Sequence, residues 1–199
     1  MKIFLDIGAW KGDTAKSVLT SKHDFDKIYC FEPQLDLCDA IRALNNPKIT
    51  VEEFGLWNKT DIVPLFTDAN KKSGRVSHGA TVYEDKFSGA NRTADVRMMK
   101  ASDWFCEHLN KEDYTVMKMN CEGAECDILE DLMDSGEFDK VDALMVDYDV
   151  RKVPSQKHRE GELQKRLDEY RIPVYVVDRY DQWTLRGINS THHWMDKIL

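Results

Sequence analysis

The fold is decided by the sequence DIGAWKGD at residues 6–13, taken together with FEP at residues 31–33. The first segment follows the apolar residues 3–5 and leads into a helix-like pattern. The second ends a further apolar stretch and puts an acid, Glu32, at the tip of a strand. Glycines at a strand-to-helix turn let a ligand approach the backbone closely, and a helix N-terminus offers free N–H groups. The two segments therefore predict a βαβ unit that binds a nucleoside.

The glycine spacing helps to identify the nucleoside. Glu32 follows Gly12 by 20 positions, which suits one βαβ crossover and lets the carboxylate accept both ribose hydroxyls. Dinucleotide sites usually show G-x-G-x-x-G, but Trp10 occupies the place of the second glycine and the third is missing. The form acid-x-Gly-x-x-x-Gly is typical of S-adenosylmethionine-dependent methyltransferases, whose ligand carries no phosphate. The alternative is a βα unit that uses glycine only for tight packing.

Size and composition narrow the class of protein. The chain has 199 residues and a net charge of −8, which suits one α/β domain over residues 1–199 and disfavours nucleic acid as a substrate. Its apolar runs are too short to span a bilayer, and Met1 leads straight into a core strand, so we expect a cytoplasmic protein without membrane partners. The five cysteines are odd in number and lack metal-ligand spacing, so we expect reduced thiols and no metal site.

The order of predicted elements is that of a doubly wound, mostly parallel, Rossmann-like α/β sheet. Strand and helix patterns alternate up to residue 60 and again from residue 102. Between them, residues 61–100 show short strand-like pieces separated by polar, glycine-containing segments. This region is predicted to be an inserted β-hairpin and loop that supplies substrate contacts. A helix is predicted from Glu122 to Ser135, and a last edge strand near residues 183–185.

A second motif, KMNCEGAE at residues 118–125, lies where the fourth strand of this pattern meets its helix. In a doubly wound sheet that junction is beside the first strand, at the topological switch point. Together with residues 6–13 and 31–33, the motif resembles the FkbM family of S-adenosylmethionine-dependent methyltransferases. The resemblance covers roughly residues 3–150. Asn120 stands where the family usually has Asp, and the helices that members often carry ahead of the first strand are missing, which leaves one side of the pocket more open.

The resemblance implies the fold of a class I methyltransferase and transfer of a methyl group to a hydroxyl oxygen of a sugar or small metabolite. An alcohol is a poor nucleophile at neutral pH, so a base near the acceptor would help. Glu122 is the first candidate base, and His78, in the polar insertion, is the second. The alternative for Glu122 is a carboxylate that only caps the helix N-terminus. Asp147 and Asp149, at the end of the fifth strand, are candidates for binding acceptor hydroxyls.

The predicted cofactor is S-adenosyl-L-methionine. Its site is expected to contain residues that follow the first and second strands and residues near the ends of the third and fourth strands. The predicted cofactor-binding residues are Asp6, Gly8, Ala9, Gly12, Asp13, Thr14, Glu32, Pro33, Gly55, Leu56 and Asn120.

Two other functions remain open on the sequence. One is an NAD-dependent oxidoreductase or epimerase, which the missing third glycine and the lack of a Tyr-x-x-x-Lys pair disfavour. The other is a catalytically silent nucleoside-binding module, which Asn120 keeps possible because an amide cannot act as a base. The expected partner is a small-molecule or glycan acceptor, and the sequence predicts neither its identity nor the oligomeric state.

Overall fold

The main sheet is parallel throughout. The structure is a computed structural model that describes residues 1–70, 79–177 and 188–199. Numbered in chain order, the strands of this sheet are β1 (Lys2–Ile7), β2 (Lys27–Phe31), β3 (Ile49–Glu52), β7 (Tyr114–Met119), β8 (Ala143–Val146) and β9 (Val174–Val176). Their order across the sheet is β3-β2-β1-β7-β8-β9. The winding reverses between β1 and β7, so the sheet is the doubly wound, Rossmann-like α/β sheet that the sequence predicts.

Helices cover both faces of this sheet. On one face lie α1 (Asp13–Leu19), α2 (Leu35–Arg42) and α6 (Ile188–Ile198), and on the other lie α3 (Ala101–His108), α4 (Glu125–Ser135) and α5 (Glu160–Glu169). The central strand β1 is buried on both sides, because Phe4 packs into the α1–α6 layer and Ile3 and Leu5 pack into the opposite layer. Burial on both faces explains the apolar run at residues 3–5 of this strand.

A smaller sheet is inserted between β3 and α3. It contains β4 (Gly55–Trp57), β5 (Asp61–Asp68) and β6 (Ala90–Lys100) in the order β4-β6-β5. The β5 and β6 strands pair antiparallel, which confirms the predicted hairpin insertion. Val63, Leu65, Val96 and Met98 form its small apolar core. One of the short strand-like pieces predicted within residues 61–100, at residues 80–83, is reduced to a single bridge between Thr81 and Phe66.

The helix after β7 starts later than its sequence pattern indicates. The pattern predicts a start at Glu122, but α4 begins at Glu125. Glu122 has φ +60° and Gly123 has φ +120°, and neither conformation continues a right-handed helix. Glu122 therefore belongs to a tight turn between β7 and α4.

The chain after β9 also differs from the prediction. The edge strand expected near residues 183–185 lies outside the described residues. Beyond them, α6 packs along α1, which the sequence pattern did not reveal. Nε2 of His192 lies 2.7 Å from the carbonyl oxygen of Ser17, and the Trp194 ring lies against Phe4 with 6.0 Å between centroids. This packing brings α6 to the carboxyl ends of the strands.

Candidate functional site

A cavity of about 420 Å³ opens at the carboxyl ends of β1, β2, β7 and β8. Its walls are formed by the turns after β1, β2, β7 and β8, by the hairpin sheet and by α6. The residues that line it include Gly8, Ala9, Trp10, Glu32, Pro33, Leu56, Leu65, Thr81, Met98, Asn120, Glu122, Asp147, Ser190, Thr191 and Trp194. The location is the one at which doubly wound sheets bind ligands.

Gly8 begins the turn after β1 and makes a close approach to the turn after β7. Its φ is +77°, and a Cβ atom built there would lie 2.0 Å from the carbonyl oxygen of Asn120. The backbone N–H groups of Gly8 and Ala9 both donate to the carbonyl oxygen of Phe31. Glycine is therefore required at this position by the neighbouring backbone itself, whether or not a ligand is bound.

Asp6 and Lys118 form a buried ion pair beneath this turn. The Nζ atom of Lys118 lies 2.9 Å from Oδ1 of Asp6, and it donates a 2.9 Å hydrogen bond to the carbonyl oxygen of Gly8. Burial raises the pKa of Asp6, and the charge of Lys118 opposes that change. Asp6 has no exposed surface and does not line the cavity, so it supports the turn from below rather than reaching the space in which a cofactor would lie.

Glu32 closes β2 and faces the cavity with only 4% of its surface exposed. Its Oε2 accepts a 3.0 Å hydrogen bond from the backbone N–H of Trp10, and its Oε1 accepts a 2.9 Å bond from that of Gln34. Burial raises the pKa of Glu32 to about 7, although both amides favour the charged form. Oε1 also accepts a 3.4 Å hydrogen bond from Nε2 of Gln34, so Oε2 is the oxygen that keeps a further lone pair for a ligand hydroxyl.

Gly12, which the motif predicts to bind the cofactor, lies away from the cavity. It has φ +79° at the start of α1, and a Cβ atom there would meet the Leu44 side chain at 3.0 Å and then Ile41. Its role in this structure is to shape the turn and to pack α1 against α2. Asp13 and Thr14, in the first turn of α1, do line the cavity, as do Ala9, Pro33, Gly55 and Leu56.

Glu125 anchors the turn that carries Asn120 and Glu122. It is fully buried, and its carboxylate accepts 3.1 Å hydrogen bonds from the backbone N–H groups of Cys121, Gly123 and Val150. Burial raises its pKa to about 7. The last acid of the EGAE motif therefore ties the turn after β7 to the turn after β8, a role that the sequence pattern does not indicate.

Glu122 reaches the cavity wall from its strained turn, and it shares a cation with Asp149. The Nζ atom of Lys86, from a 3₁₀ turn of the hairpin insertion, donates to Oε2 of Glu122 and lies 3.3 Å from Oδ2 of Asp149. Burial and a hydrogen bond with Asp149 raise the pKa of Glu122, and Lys86 opposes the change.

Asp147 and Asp149, predicted together as substrate-binding residues, occupy different places. Asp147 lines the cavity, whereas Asp149 is buried behind it and also pairs with Lys152. Burial works against ionisation of Asp149, but its hydrogen bond with Glu122 and the charges of Lys86 and Lys152 hold its pKa below the usual range. His78, the second candidate base, lies outside the described residues.

A second buried carboxylate, Asp127 on α4, holds the hairpin insertion to the main sheet. It accepts hydrogen bonds from the Tyr83 hydroxyl, the Trp57 indole at 2.9 Å and the Arg159 guanidinium at 2.8 Å. With Nδ2 of Asn58, which donates at 3.3 Å, four donors distant in sequence from Asp127 meet at one carboxylate. Neither Asp127 nor Lys86 is predicted from the sequence, because partners so far apart in the chain leave no local pattern.

Three further observations concern metal binding, the cysteines and the membrane. Within the parts of the chain that the structure describes, no group of three or more His, Cys, Asp or Glu side chains is placed to hold a metal ion. All five cysteines are free thiols, and Cys106 is the exposed one. In the same described ranges, no helix has the length and apolar character needed to cross a membrane.

Comparison with known proteins finds a partial similarity to a solved structure. No protein-family model matches this chain, and no curated protein matches it. Among solved structures, it is similar to the crystal structure of methyltransferase FkbM from Methylobacillus flagellatus KT, with 16% sequence identity and a TM-score of 0.43. The match covers 67% of this chain and 29% of that chain, so the chain spans less than a third of that protein's length. The chemistry of the site has to be inferred from its own residues.

Proposed function

We propose that this protein is an S-adenosylmethionine-dependent methyltransferase that methylates a hydroxyl oxygen of a sugar or another small metabolite. The observation that carries the proposal is the pairing, in one cavity, of the Gly8 turn with the Glu32 carboxylate at the tip of the next strand. A backbone turn beside an acid at the adjacent strand tip suits a nucleoside with free ribose hydroxyls.

The residues present fit the proposed cofactor. Oε2 of Glu32 has a spare lone pair for a ribose hydroxyl, and Pro33, Leu56 and Met98 offer an apolar wall for a purine ring. The side-chain oxygen of Asn120 is buried at the wall and accepts no hydrogen bond from the described residues, so it suits a ligand donor such as an ammonium group. Lys118, a cation of the wall, is already paired with Asp6, which does not favour a pyrophosphate.

Within this assignment, Gly8 and Ala9 line the space for the amino-acid end of the cofactor. The side-chain oxygen of Asn120 accepts from its ammonium group, and Glu32 binds its ribose. When bound, S-adenosylmethionine supplies a methyl group that is already activated for attack. The protein then has to align the acceptor oxygen and remove its proton. Glu122 accepts that proton at its carboxylate, and Asp147 hydrogen-bonds a neighbouring hydroxyl of the acceptor. Burial and the hydrogen bond with Asp149 keep Glu122 more basic than an exposed glutamate, as a general base near neutral pH requires.

The acceptor is proposed to be a small molecule rather than nucleic acid. The chain carries a net charge of −8, and Asp13, Glu32, Glu122 and Asp147 all lie at the cavity wall. Such a surface repels a phosphate backbone.

Titration calorimetry with S-adenosylmethionine, S-adenosylhomocysteine and NAD tests the proposal directly. We expect the first two to bind and NAD not to bind. Glu32→Gln should weaken S-adenosylhomocysteine binding by about tenfold or more, because a charge-assisted hydrogen bond is lost. Glu53→Gln, on an exposed acid that pairs with Arg42, is the matched control and should bind normally. Binding of NAD in place of S-adenosylhomocysteine would overturn the proposal.

A turnover assay then separates an enzyme from a silent binding module. The protein is incubated with S-adenosylmethionine carrying a ¹³C-methyl group and a mixture of sugars and hydroxylated metabolites. The ¹³C chemical shift of the product distinguishes an O-methyl group from N-methyl and S-methyl groups. Appearance of an O-methyl signal that depends on the protein supports the proposal, whereas an N-methyl or S-methyl product contradicts the assigned acceptor atom.

A further inference from the structure

Among its described residues, the hairpin insertion contributes one buried cation, Lys86, next to the cavity. Lys86 ends the 3₁₀ turn Glu84–Lys86, and its side chain is only 4% exposed. Its Nζ donates a 3.1 Å hydrogen bond to the backbone carbonyl oxygen of Glu122 and a further bond to Oε2 of the same residue, and it lies 3.3 Å from Oδ2 of Asp149. The three ammonium donors thus have three acceptors.

Such a complete set of partners is needed because removing an ammonium group from water costs several kcal/mol unless it is paired. An exposed lysine would avoid this cost. The insertion is also held to the rest of the domain by Tyr83 and Trp57 on Asp127 and by the Ser155 backbone N–H on Asp85. Attachment of the hairpin therefore does not by itself explain a buried lysine at position 86. What Lys86 adds is contact with both the backbone and the carboxylate of one residue at the cavity wall.

We propose that Lys86 is the positioning residue for Glu122, holding its turn and its carboxylate in place at the cavity wall. The proposal rests on the proposed function, because it treats Glu122 as the group that receives the acceptor proton. The proposal also assigns a role to the hairpin insertion, since this segment supplies the lysine that positions Glu122. The bond to the Glu122 carbonyl stabilises a backbone with φ +60°, and the bond to Oε2 fixes the side chain that projects from it.

The charged groups around Glu122 set its pKa, and a change in this pKa can therefore reveal the loss of its contact with Lys86. Lys86 faces it from the hairpin, Asp149 with its partner Lys152 faces it from the turn after β8, and the Cys121 thiol precedes it in the chain. Burial and Asp149 both favour the protonated form of Glu122, and Lys86 favours the charged form. Removing the Lys86 charge should therefore raise the pKa of Glu122 further.

The test measures that titration in the protein without added cofactor. Glutamate carboxyl groups are labelled with ¹³C, and the Glu122 signal is assigned by its loss in Glu122→Gln. In Lys86→Met we expect its midpoint to rise by about one pH unit or more, since a nearby opposite charge changes the pKa of a carboxyl by that amount. Lys86→Arg should restore most of the wild-type midpoint. Lys59→Met, which removes an exposed lysine paired with Asp61, is the control and should leave the midpoint unchanged.

A midpoint that stays unchanged in Lys86→Met, or that moves equally in Lys59→Met, would overturn the proposal. If Lys86→Met does not fold, Lys86→Gln removes the charge while keeping a hydrogen-bond donor, and the same rise in the midpoint is expected. Affinity for S-adenosylhomocysteine should stay within about twofold in Lys86→Met, because no cofactor contact is assigned to Lys86. Since the titration needs no cofactor, failure of wild-type protein to bind S-adenosylhomocysteine would count against the proposed function alone.

Discussion

Lys118 on β7 donates a 2.9 Å hydrogen bond to the carbonyl oxygen of Gly8, the first residue after the neighbouring strand β1. The same ammonium lies 2.9 Å from the fully buried carboxylate of Asp6. One lysine therefore fixes the turn that forms the floor of the cavity and neutralises the acid beneath it. The two halves of the doubly wound sheet are joined by this contact at the point where the winding reverses.

Replacing Lys118 with methionine should be strongly destabilising. The substitution leaves Asp6 as a buried charge without its partner, and the loss from breaking such a pair is about 3–5 kcal/mol. The double variant Asp6→Asn/Lys118→Met should recover part of that loss, because no net charge is then buried. Urea unfolding measures both, and Lys111→Met, on an exposed lysine, is the control. A loss in Lys118→Met no larger than in the control would show that the pair does not support the turn.

Three glycines with nearly the same backbone angle allow conformational strain to be separated from steric clash. Gly8, Gly12 and Gly136 have φ of +77°, +79° and +79°. A Cβ atom at Gly136 would meet nothing within 4 Å, at Gly12 it would meet the end of a leucine side chain at 3.0 Å, and at Gly8 it would meet a backbone oxygen at 2.0 Å. Gly136→Ala should therefore cost only the strain of about 1–2 kcal/mol.

We expect Gly12→Ala to cost slightly more than Gly136→Ala, and Gly8→Ala to cost far more or to prevent folding. Thermal and urea unfolding of the three variants give the ranking. Gly12→Ala should also keep its affinity for S-adenosylhomocysteine, since its Cβ would point toward α2 and away from the cavity. Equal losses at Gly8 and Gly136 would mean that the approach to Asn120 is not rigid.

The stability of the protein should fall as the pH rises from about 5 to about 7. Burial raises the pKa of Glu32 and of Glu125 to about 7 from an ordinary value of 4.5, and it raises that of Glu122 as well. The folded protein then binds these protons more tightly than the unfolded chain does. The free energy of unfolding is therefore greatest at a pH below the pKa that these glutamates have in the unfolded chain, and it decreases as the pH rises toward 7. Each group contributes about 1.4 kcal/mol for every pH unit between its pKa in the folded protein and its pKa in the unfolded chain.

Urea unfolding at several pH values across that window measures the slope. Asp113 and Asp149 have lowered pKa values and act in the opposite direction, but only at more acidic pH. Glu125→Gln should flatten the slope because one of the titrating groups is gone, while Glu53→Gln should leave it as in the wild type. Stability that rises between pH 5 and 7 would contradict the burial argument.

The sequence predicts those parts of the fold and site that depend on neighbours in the chain. The apolar run of β1, the glycine turn after it and the acid at the end of β2 are all local patterns, and the order of the parallel strands follows from them. The predicted start of α4 is too early because helical periodicity does not reveal that Glu122 has φ +60°. The helix α6 is not predicted although Trp194, Met195 and Ile198 have helical spacing, because the polar residues around them hide the pattern.

The remaining features arise from contacts between distant segments. Lys86 meets Glu122 across 36 positions, and Trp57 meets Asp127 across 70. No spacing rule connects such residues. Gly12 shows that a local pattern can also suggest a contact that the structure does not contain. Its position in the motif suggests a ligand contact, but its neighbours in the structure are Leu44 and Ile41, which pack α1 against α2.

The last prediction concerns Glu122 and the chemical step. Glu122→Gln keeps the size and a hydrogen-bond acceptor for Lys86 but removes the basicity. With an acceptor identified by the ¹³C-methyl assay, kcat should fall by about 10²–10⁴-fold, the usual contribution of a general base. The affinity for S-adenosylhomocysteine should stay nearly intact, because the cofactor contacts are assigned to Gly8, Glu32 and Asn120. Glu130→Gln, on the neighbouring helix α4 and paired with Arg159, is the control and should keep its kcat. If Glu122→Gln instead loses stability or cofactor affinity while kcat is preserved, Glu122 only shapes its turn, and Asp147 becomes the first residue at the cavity wall to test as the base.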